Sequence, residues 1–374
     1  MKIAHVASQL DRASAGLGAA IAAISAATQT AGNEVRVFGL SSADWVARDG
    51  GAWTGAPATM LEPAAWSGPL GYAPAMLPAL LDFDADVIHL HGLWTYPSIA
   101  AYRFHRKSGR PLVVSAHGML MPVALTYSRG RKRIARVLFQ DRVLRAASFF
   151  HSTSRDEEAA YRALGLDTPV GLIPLGMDLL PRPEDLPEVP GRKLLFLGRL
   201  HPLKGIDWLI EAWMRLQADY PDWELSIVGP TDPSYAREIA RFNREVAGSR
   251  VTFAGPRHDR EKLRTMAGAD LFVLPSRSEN FGLTAAEALM MEVPVIATRG
   301  TPWSGLTEAG AGWWIEPGAD ALEQALRTAM RLPEAELQRM GRNGRQWIER
   351  DFSWPVIGRK WQAVYENLVA AGDR

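Results

Sequence analysis

The sequence predicts an α/β protein made of two doubly wound domains that face one another across a cleft. Three observations carry this. Short runs rich in Val, Ile and Leu alternate with longer helical patterns along the whole chain, as in parallel sheets joined by right-handed crossovers. The alternation stops once, at the proline-rich polar stretch PRPEDLPEVPGR, and then restarts. A chain of 374 residues is long enough for two cores. The expected division is a first domain over residues 1–178, a linker over 179–191, a second domain over 192–352, and a C-terminal helix over 353–374 that crosses back to the first domain.

The elements follow in order. KIAHVAS is a strand, and Gly16 to Ala31 a small-residue helix ended near Gly32. EVRVFGL, DVIHLHG, PLVVSAHG and SFFHSTS are further strands. Ser154 opens a capping box, S-R-D-E, whose helix ends at Gly165, and PVGLIPLG closes the half. The second half reads KLLFLGR strand, Ile206–Gln217 helix, WELSIVG strand, Pro233–Val246 helix, RVTFAG strand, Asp259–Ala267 helix and DLFVLP strand. A short apolar helix and the strand VPVIATRG come next. The last helix, near Trp354 to Val369, carries Trp361, Val364, Tyr365 and Leu368 at helical spacing.

Composition removes several classes. The chain is 47% hydrophobic and 22% charged, as in ordinary globular proteins. Lys and Arg number 42 against 41 Asp and Glu, so global charge gives no reason to expect nucleic acid. With no cysteine, disulfides, thiolate metal sites and Cys nucleophiles are excluded. No apolar run reaches the roughly 18 residues of a membrane span. Asp11 and Arg12 interrupt the opening MKIAHVASQLDRA before a signal-peptide core can form. The expectation is a soluble cytoplasmic protein.

Two segments of the second half carry chemistry. In GRLHPLKGID, Gly198 and Arg199 follow a strand, and Lys204 and Gly205 precede a helix. A guanidinium fork and a mobile ammonium beside free helix N–H groups suit a diphosphate. They also suit two solvated loop cations. In SENFGLTAAEALMMEVPVIA, Glu279 and Glu287 stand eight apart around a Phe-Gly turn that opens a helix at the carboxyl end of a strand. Open α/β sheets bind ligands there. Glu287 could merely close a capping box with Thr284, and Glu279 could be a loop carboxylate favoured by the helix dipole. The functional reading is a diphosphate on the backbone of Phe281, Gly282, Leu283 and Thr284, flanked by hydroxyls: ribose on Glu287 and a sugar ring on Glu279. A nucleotide sugar has that form.

These residues resemble a family. Glu279-x7-Glu287 in SENFGLTAAEALMMEVPVIA, FLGRLHPLKGID upstream and LFVLPSRSE between them are similar to the donor site of retaining nucleotide-sugar glycosyltransferases of family 4. That family has the GT-B fold of two Rossmann-like domains. The resemblance runs over nearly the whole chain and is strongest in Lys193–Glu316. It implies that Arg199 and Lys204 bind donor phosphates, Glu279 sugar hydroxyls and Glu287 ribose, with backbone contacts from Phe281 to Thr284. Asn280 stands where the commonest form of the motif has Gly, so altered turn or sugar contacts are expected.

In the first half, Ser14-Ala15-Gly16-Leu17-Gly18 takes the place of the family's glycine-rich donor loop, with one Gly of the usual pair replaced; an ordinary glycine loop is the alternative. HLHGLW and SAHGML end strands. By resemblance His117 contacts the transferred sugar; a hydrogen-bonded strand-end histidine is the alternative. His89, His91 and His117 raise the question of a metal, but no carboxylate follows at metal-site spacing, and only one of His89 and His91 is needed on the cleft side. DFDAD, Asp82–Asp86, holds two Asp-x-Asp matches but precedes its strand, the wrong end for a ligand, and reads as a solvated turn.

YSRGRKRIARVLFQDRVLRAA places Arg129, Arg131, Lys132, Arg133 and Arg136, then Arg142 and Arg145, in one helical stretch with Asp141 its only acid. Ile134, Val137, Leu138, Val143 and Leu144 supply an apolar stripe. Such a helix suits an anionic membrane, a lipid diphosphate or an anionic saccharide; a core-packed helix with a solvated basic face is the alternative. The expected activity is retaining transfer of a hexosyl unit from a UDP- or GDP-linked sugar to a hydroxyl of a glycan or lipid-linked acceptor, without metal or other cofactor, in cell-envelope polysaccharide or glycolipid synthesis. The expected location is cytoplasmic, peripheral on the inner membrane face. Rival readings are another GT-B enzyme, an epimerase or phosphorylase, or a non-catalytic nucleotide-sugar-binding protein.

Overall fold

A computed structural model describes residues 1–11, 17–43, 45–186 and 191–372. The chain divides into two compact units, residues 1–176 with 354–374, and residues 177–353.

The first unit holds seven parallel strands: β1 Lys2–Ala7, β2 Glu34–Leu40, β3 Ala58–Leu61, β4 Val87–His91, β5 Leu112–Ser115, β6 Phe149–Ser152 and β7 Val170–Leu172. Their order is β3-β2-β1-β4-β5-β6-β7, so the chain reverses its winding between β1 and β4. Strands buried on both faces read as unbroken apolar runs, and Ile3, Val6, Val87, Leu90, Val113 and Phe150 are all fully buried. Helix Leu17–Thr30 packs against the last helix, Trp354–Gly372, within this unit. Gly358 allows the close approach, since a Cβ there would lie 3.1 Å from the Ala27 carbonyl. Trp361 and Tyr365 of the last helix are fully buried.

The second unit holds six parallel strands: β8 Arg192–Leu197, β9 Trp223–Val228, β10 Val251–Ala254, β11 Leu271–Leu274, β12 Val295–Thr298 and β13 Gly312–Ile315. The order β10-β9-β8-β11-β12-β13 places the reversal between β8 and β11. Its core is Leu194, Phe196, Leu209, Trp213, Leu225, Leu271 and their neighbours.

The structure adds β3 and β13 to the strands expected from sequence. β3, ATML, is half-buried at a sheet edge, and β13, GWWI, is four residues long and itself begins with Gly312, so neither shows a clear periodicity. The helix expected over Pro233–Val246 is a 3-10 turn, Pro233–Tyr235, followed by the α-helix Ala236–Glu245. Ser154 caps the helix Arg155–Ala163 as its box predicts, its Oγ accepting from the Glu157 N–H at 3.2 Å. Among the described residues no helix is long and apolar enough to cross a membrane.

Candidate functional site

In a doubly wound sheet the ligand crevice lies at the carboxyl ends of the strands where the winding reverses. In the second unit these are the segments after β8 and β11, and both sequence-predicted motifs fall on them. Residues 198–205 lead from β8 into helix Ile206–Leu216, and residues 275–282 lead from β11 into helix Leu283–Met290. The two loops are locked together. Gly205 has φ 66°, and a Cβ there would lie 2.0 Å from the Pro275 carbonyl oxygen. Only glycine tolerates both. Arg277 donates its N–H to the Leu203 carbonyl at 2.7 Å. Its side chain forks onto Asp207 at 2.9 and 2.6 Å, donates to the Pro202 carbonyl at 2.6 Å, and stacks on Trp208 with its central carbon 3.8 Å from the ring centre.

The lock brings two predicted residues into contact. Lys204 Nζ forms an ion pair with Glu279 Oε1, and the Ser276 hydroxyl donates to the same oxygen at 2.9 Å. Both side chains are largely shielded, 22% and 13% exposed, so the pair interacts in reduced dielectric. Arg199 is elsewhere. It leans over the β9 side, 3.3 Å from Asp232, and is 61% exposed. The Ser234 hydroxyl and backbone N–H, with Arg199 beyond them, hold the Asp232 carboxyl below its usual range.

Helix Leu283–Met290 starts at Gly282, which has φ 76° and is its N-cap, with no side-chain cap. The alternative in which Glu287 closes a capping box with Thr284 is therefore wrong: the cap lies two residues earlier, and the Glu287 carboxylate is used differently. Lys262, on helix Asp259–Ala267, donates to Glu287 Oε1 at 2.6 Å. Glu287 Oε2 is buried and has no hydrogen-bond partner among the described residues. Burial pushes the Glu287 carboxyl up, and Lys262 opposes the shift. A buried carboxylate oxygen without a donor costs desolvation free energy that a ligand hydroxyl would offset. Phe281 is buried against Trp303 and Phe352, with ring centres 5.2 and 6.2 Å away, which leaves only its backbone for a ligand. Leu283 and Asn280 are exposed, and Thr284 is half-buried.

The reversal point of the first unit lies between β1 and β4, and histidines converge there. The expectation for His89 and His91 needs correction. Residues two apart on a strand share a face, and both rings lie together, stacked with centres 4.0 Å apart. His5, His89 and His91 are the one group of three potential metal ligands found among the described residues. Five of their six ring nitrogens are engaged in short contacts with protein groups, and only His5 Nε2 has none. The set reads as a hydrogen-bonded layer. His117 closes it at the strand ends. It has φ 51°, a region histidine enters more readily than most residues. Its loop is held by the buried Glu157, which accepts from the Gly118 N–H at 2.6 Å and the Thr153 N–H at 2.9 Å. Gly18 is buried in the first turn of helix Leu17–Thr30, and Gly16 lies outside the described residues.

Asp82, Asp84 and Asp86 lie before β4, at the amino ends of the strands, where Asp86 accepts from the Lys2 N–H at 2.8 Å. The basic stretch is three segments, helix Arg129–Ala135, a π turn Arg136–Gln140 and helix Asp141–Arg145. Its apolar stripe is split. Val143 and Leu144 are buried, but Ile134, Val137 and Leu138 are 61%, 73% and 62% exposed, so the core-packed alternative fails for them. Val123 and Tyr127 are exposed beside them in sequence. Arg129, Arg131 and Arg133 are exposed, whereas Lys132 donates to the Ala124 carbonyl at 2.6 Å and Arg136 pairs with Asp141 at 2.9 Å. A groove of about 650 Å³, lined by Trp94, Tyr102, Ile134 and Leu138 with Arg103 and Arg131, adjoins this surface.

Sequence reasoning missed Lys262, Arg277 with Asp207, and Glu157. Only Glu157 left a local trace, its capping box.

Comparison with known proteins agrees with this architecture. Residues 15–176 match the glycosyl transferase 4-like domain, and residues 182–347 match the glycosyl transferases group 1. The D-inositol 3-phosphate glycosyltransferase of Corynebacterium glutamicum (strain R) is 32% identical over 183 residues, 47% of this chain and 43% of that one. This chain thus spans less than half the length of that relative. The phosphatidyl-myo-inositol mannosyltransferase of Mycolicibacterium smegmatis is 27% identical over 294 residues, 77% of this chain and 73% of that one. Among solved structures, Anabaena HepE in complex with UDP and glucose superposes with a TM-score of 0.74 at 19% identity, covering 98% of this chain and 100% of that one, a likeness of GT-B fold. With its first half matching the 4-like domain and its second half the group 1 domain, the chain belongs to the group 1 glycosyltransferases.

Proposed function

We propose that the protein transfers a hexosyl unit from a nucleoside diphosphate sugar to a hydroxyl acceptor with retained anomeric configuration. The observation that carries this is the helix start at Gly282 without a side-chain cap, which has the Lys204–Glu279 pair on one side and the bare buried Glu287 oxygen on the other. The diphosphate lies against the helix N–H groups beside Lys204, with Arg199 as the second cation; Glu287 accepts from ribose, Glu279 from the sugar, and His117 contacts the sugar. In the transfer step the bond from the anomeric carbon to the phosphate oxygen breaks. A bond from that carbon to the acceptor oxygen forms on the same face. The acceptor proton passes to the departing nucleoside diphosphate. Cations and helix N–H groups stabilise the growing phosphate charge. The relatives' names, one an inositol phosphate glycosyltransferase and one a phosphatidylinositol mannosyltransferase, and the UDP bound to HepE support a nucleotide-sugar donor and a phosphorylated or lipid-linked acceptor.

A thermal-shift screen of nucleotide sugars tests the reading, because a bound donor raises stability by mass action. Release of nucleoside diphosphate with acceptor then identifies transfer. Conversion of donor alone would indicate an epimerase, phosphorolysis a phosphorylase, and binding without turnover a non-catalytic protein.

Three expectations follow from the site. Glu287→Gln weakens donor binding by roughly 10- to 100-fold, the loss of one charge-assisted hydrogen bond. Unchanged affinity by calorimetry would remove the ribose assignment. Activity persists in EDTA, since the donor phosphates are met by Lys204, Arg199 and helix N–H groups. Loss on chelation with recovery in manganese would contradict this.

The third concerns the exposed Ile134, Val137 and Leu138 beside Arg129, Arg131 and Arg133, which fit an anionic membrane face, each cation contributing about 1 kcal/mol near it. Wild-type protein is expected to co-sediment with anionic vesicles at low salt, and an Arg129→Glu/Arg131→Glu/Arg133→Glu variant to remain in the supernatant while still binding donor. Wild-type protein that stays wholly in the supernatant would end the membrane reading, and with it the peripheral location.

A further inference from the structure

Five of the eight histidines, His5, His89, His91, His117 and His151, form one layer in the first unit. Burial lowers their basicity, holding His5 and His117 at about 3 and His89, His91 and His151 below the ordinary value, so all five rings are neutral. A neutral imidazole donates from one nitrogen and accepts at the other. That rule sorts the layer into two rows.

The first row has one possible direction. The Ile173 carbonyl can only accept, so His151 Nε2–H donates to it at 2.7 Å. His151 Nδ1 is then bare and accepts from the Ser115 hydroxyl at 2.7 Å. Ser115 Oγ in turn accepts from His89 Nε2–H at 2.7 Å. His89 Nδ1 accepts from the Tyr365 hydroxyl at 2.7 Å.

The second row has no carbonyl at its end. His5 Nδ1 lies 2.8 Å from His91 Nε2, and His91 Nδ1 lies 3.0 Å from His117 Nε2. His91 must donate on one side and accept on the other, which leaves two polarities. In the outward one every proton sits on Nδ1, and the buried, unpaired His5 Nε2 is a bare lone pair. In the inward one every proton sits on Nε2, and His5 Nε2–H is buried with no acceptor. Buried N–H groups without a partner are rarer in proteins than under-used acceptors. The outward polarity is therefore favoured.

We infer that His5 and His91 are positioning residues that hold His117 in its Nδ1–H form, so that His117 offers a hydrogen-bond donor to its ligand. The ligand atom it suits is an oxygen that accepts, in a sugar hydroxyl or phosphate. This rests on the proposed reading of His117 as a sugar-contacting group. The strand ends fix the ring's place, and the row fixes its proton.

The test is side-chain 15N NMR of the full chain at pH 7.5, which distinguishes protonated from bare ring nitrogens. His117 is expected to carry its proton on Nδ1. A proton on Nε2, or an even mixture, overturns the inference. In His91→Phe the row is cut, and His117 is expected to become a mixture, with kcat/KM down by roughly tenfold, the worth of about one hydrogen bond. His91→Asn can present an amide N–H to His117 Nε2 from the place of His91 Nδ1 and should restore both the spectrum and much of the rate. Equal loss in both variants would mean that His91 only fills space. If wild-type His117 holds its proton on Nδ1 but His117→Ala transfers sugar normally, the inference stands and the sugar-contact reading falls.

Discussion

Lys204→Ala is expected to lower turnover by roughly 10²–10³-fold, the ~3–4 kcal/mol attributed to one preorganised charge on a departing group. The structure gives the reason for a large effect. Lys204 is confined by the glycine contact at Gly205, by the Arg277 fork on Asp207 and by its pairing with Glu279. A charge held in place before the reaction stabilises the transition state without reorganisation. Its removal also leaves Glu279 without its cation beside Ser276. The double variant Lys204→Ala/Glu279→Gln should therefore lose less than the sum of the two single losses, as contacting residues do. Arg199→Ala should lower turnover by less, because the side chain is exposed and, among the described residues, pairs with Asp232 alone. Near-normal turnover in Lys204→Ala would contradict the phosphate assignment.

The first unit is expected to lose stability steeply in acid. His5 has its basicity depressed to about 3 in the folded chain, against 6.5 unfolded. Above pH 6.5 neither state binds the proton, and the full stability is present. Below 6.5 the unfolded chain takes up a proton that the folded chain refuses, so stability falls until the pH reaches about 3. At pH 5 the loss from His5 alone is about 2 kcal/mol, and at pH 4 about 3 kcal/mol. The buried His89, His91 and His151 and the half-buried His117 are shifted in the same direction and add to it. Such losses are comparable with the whole stability of a domain. The protection factors of the amides in β1, β4 and β5, corrected for the intrinsic slowing of exchange, should fall between pH 7 and 5, and less so in His5→Phe. Protection that is flat over this range would contradict a neutral, buried histidine layer.

Much of this molecule was legible in its sequence because its strands are buried on both faces. KIAHVA, VIHLH, LLFL and LFVL are short apolar runs bounded by polar turns, and each proved a central strand. The edge strands β3 and β13 have one partner each and weaker patterns, and were not legible. The donor-side motifs were visible because each lies within a few residues of a strand-to-helix turn. Their partners were not. Lys262 is 25 residues from Glu287, and Asp207 is 70 from Arg277, so only the fold pairs them. Periodicity alone does not say what covers a face: the stripe from Ile134 to Leu144 has helical spacing, and three of its five members are exposed while Val143 and Leu144 are buried.

The most direct test of the account is a crystal structure of the protein with UDP or GDP bound, whichever the thermal-shift screen selects. The diphosphate is expected at the start of helix Leu283–Met290 beside Lys204, with a ribose hydroxyl donating to Glu287 Oε2. A nucleotide bound away from this helix start, or one that leaves Glu287 Oε2 without a partner, would contradict it.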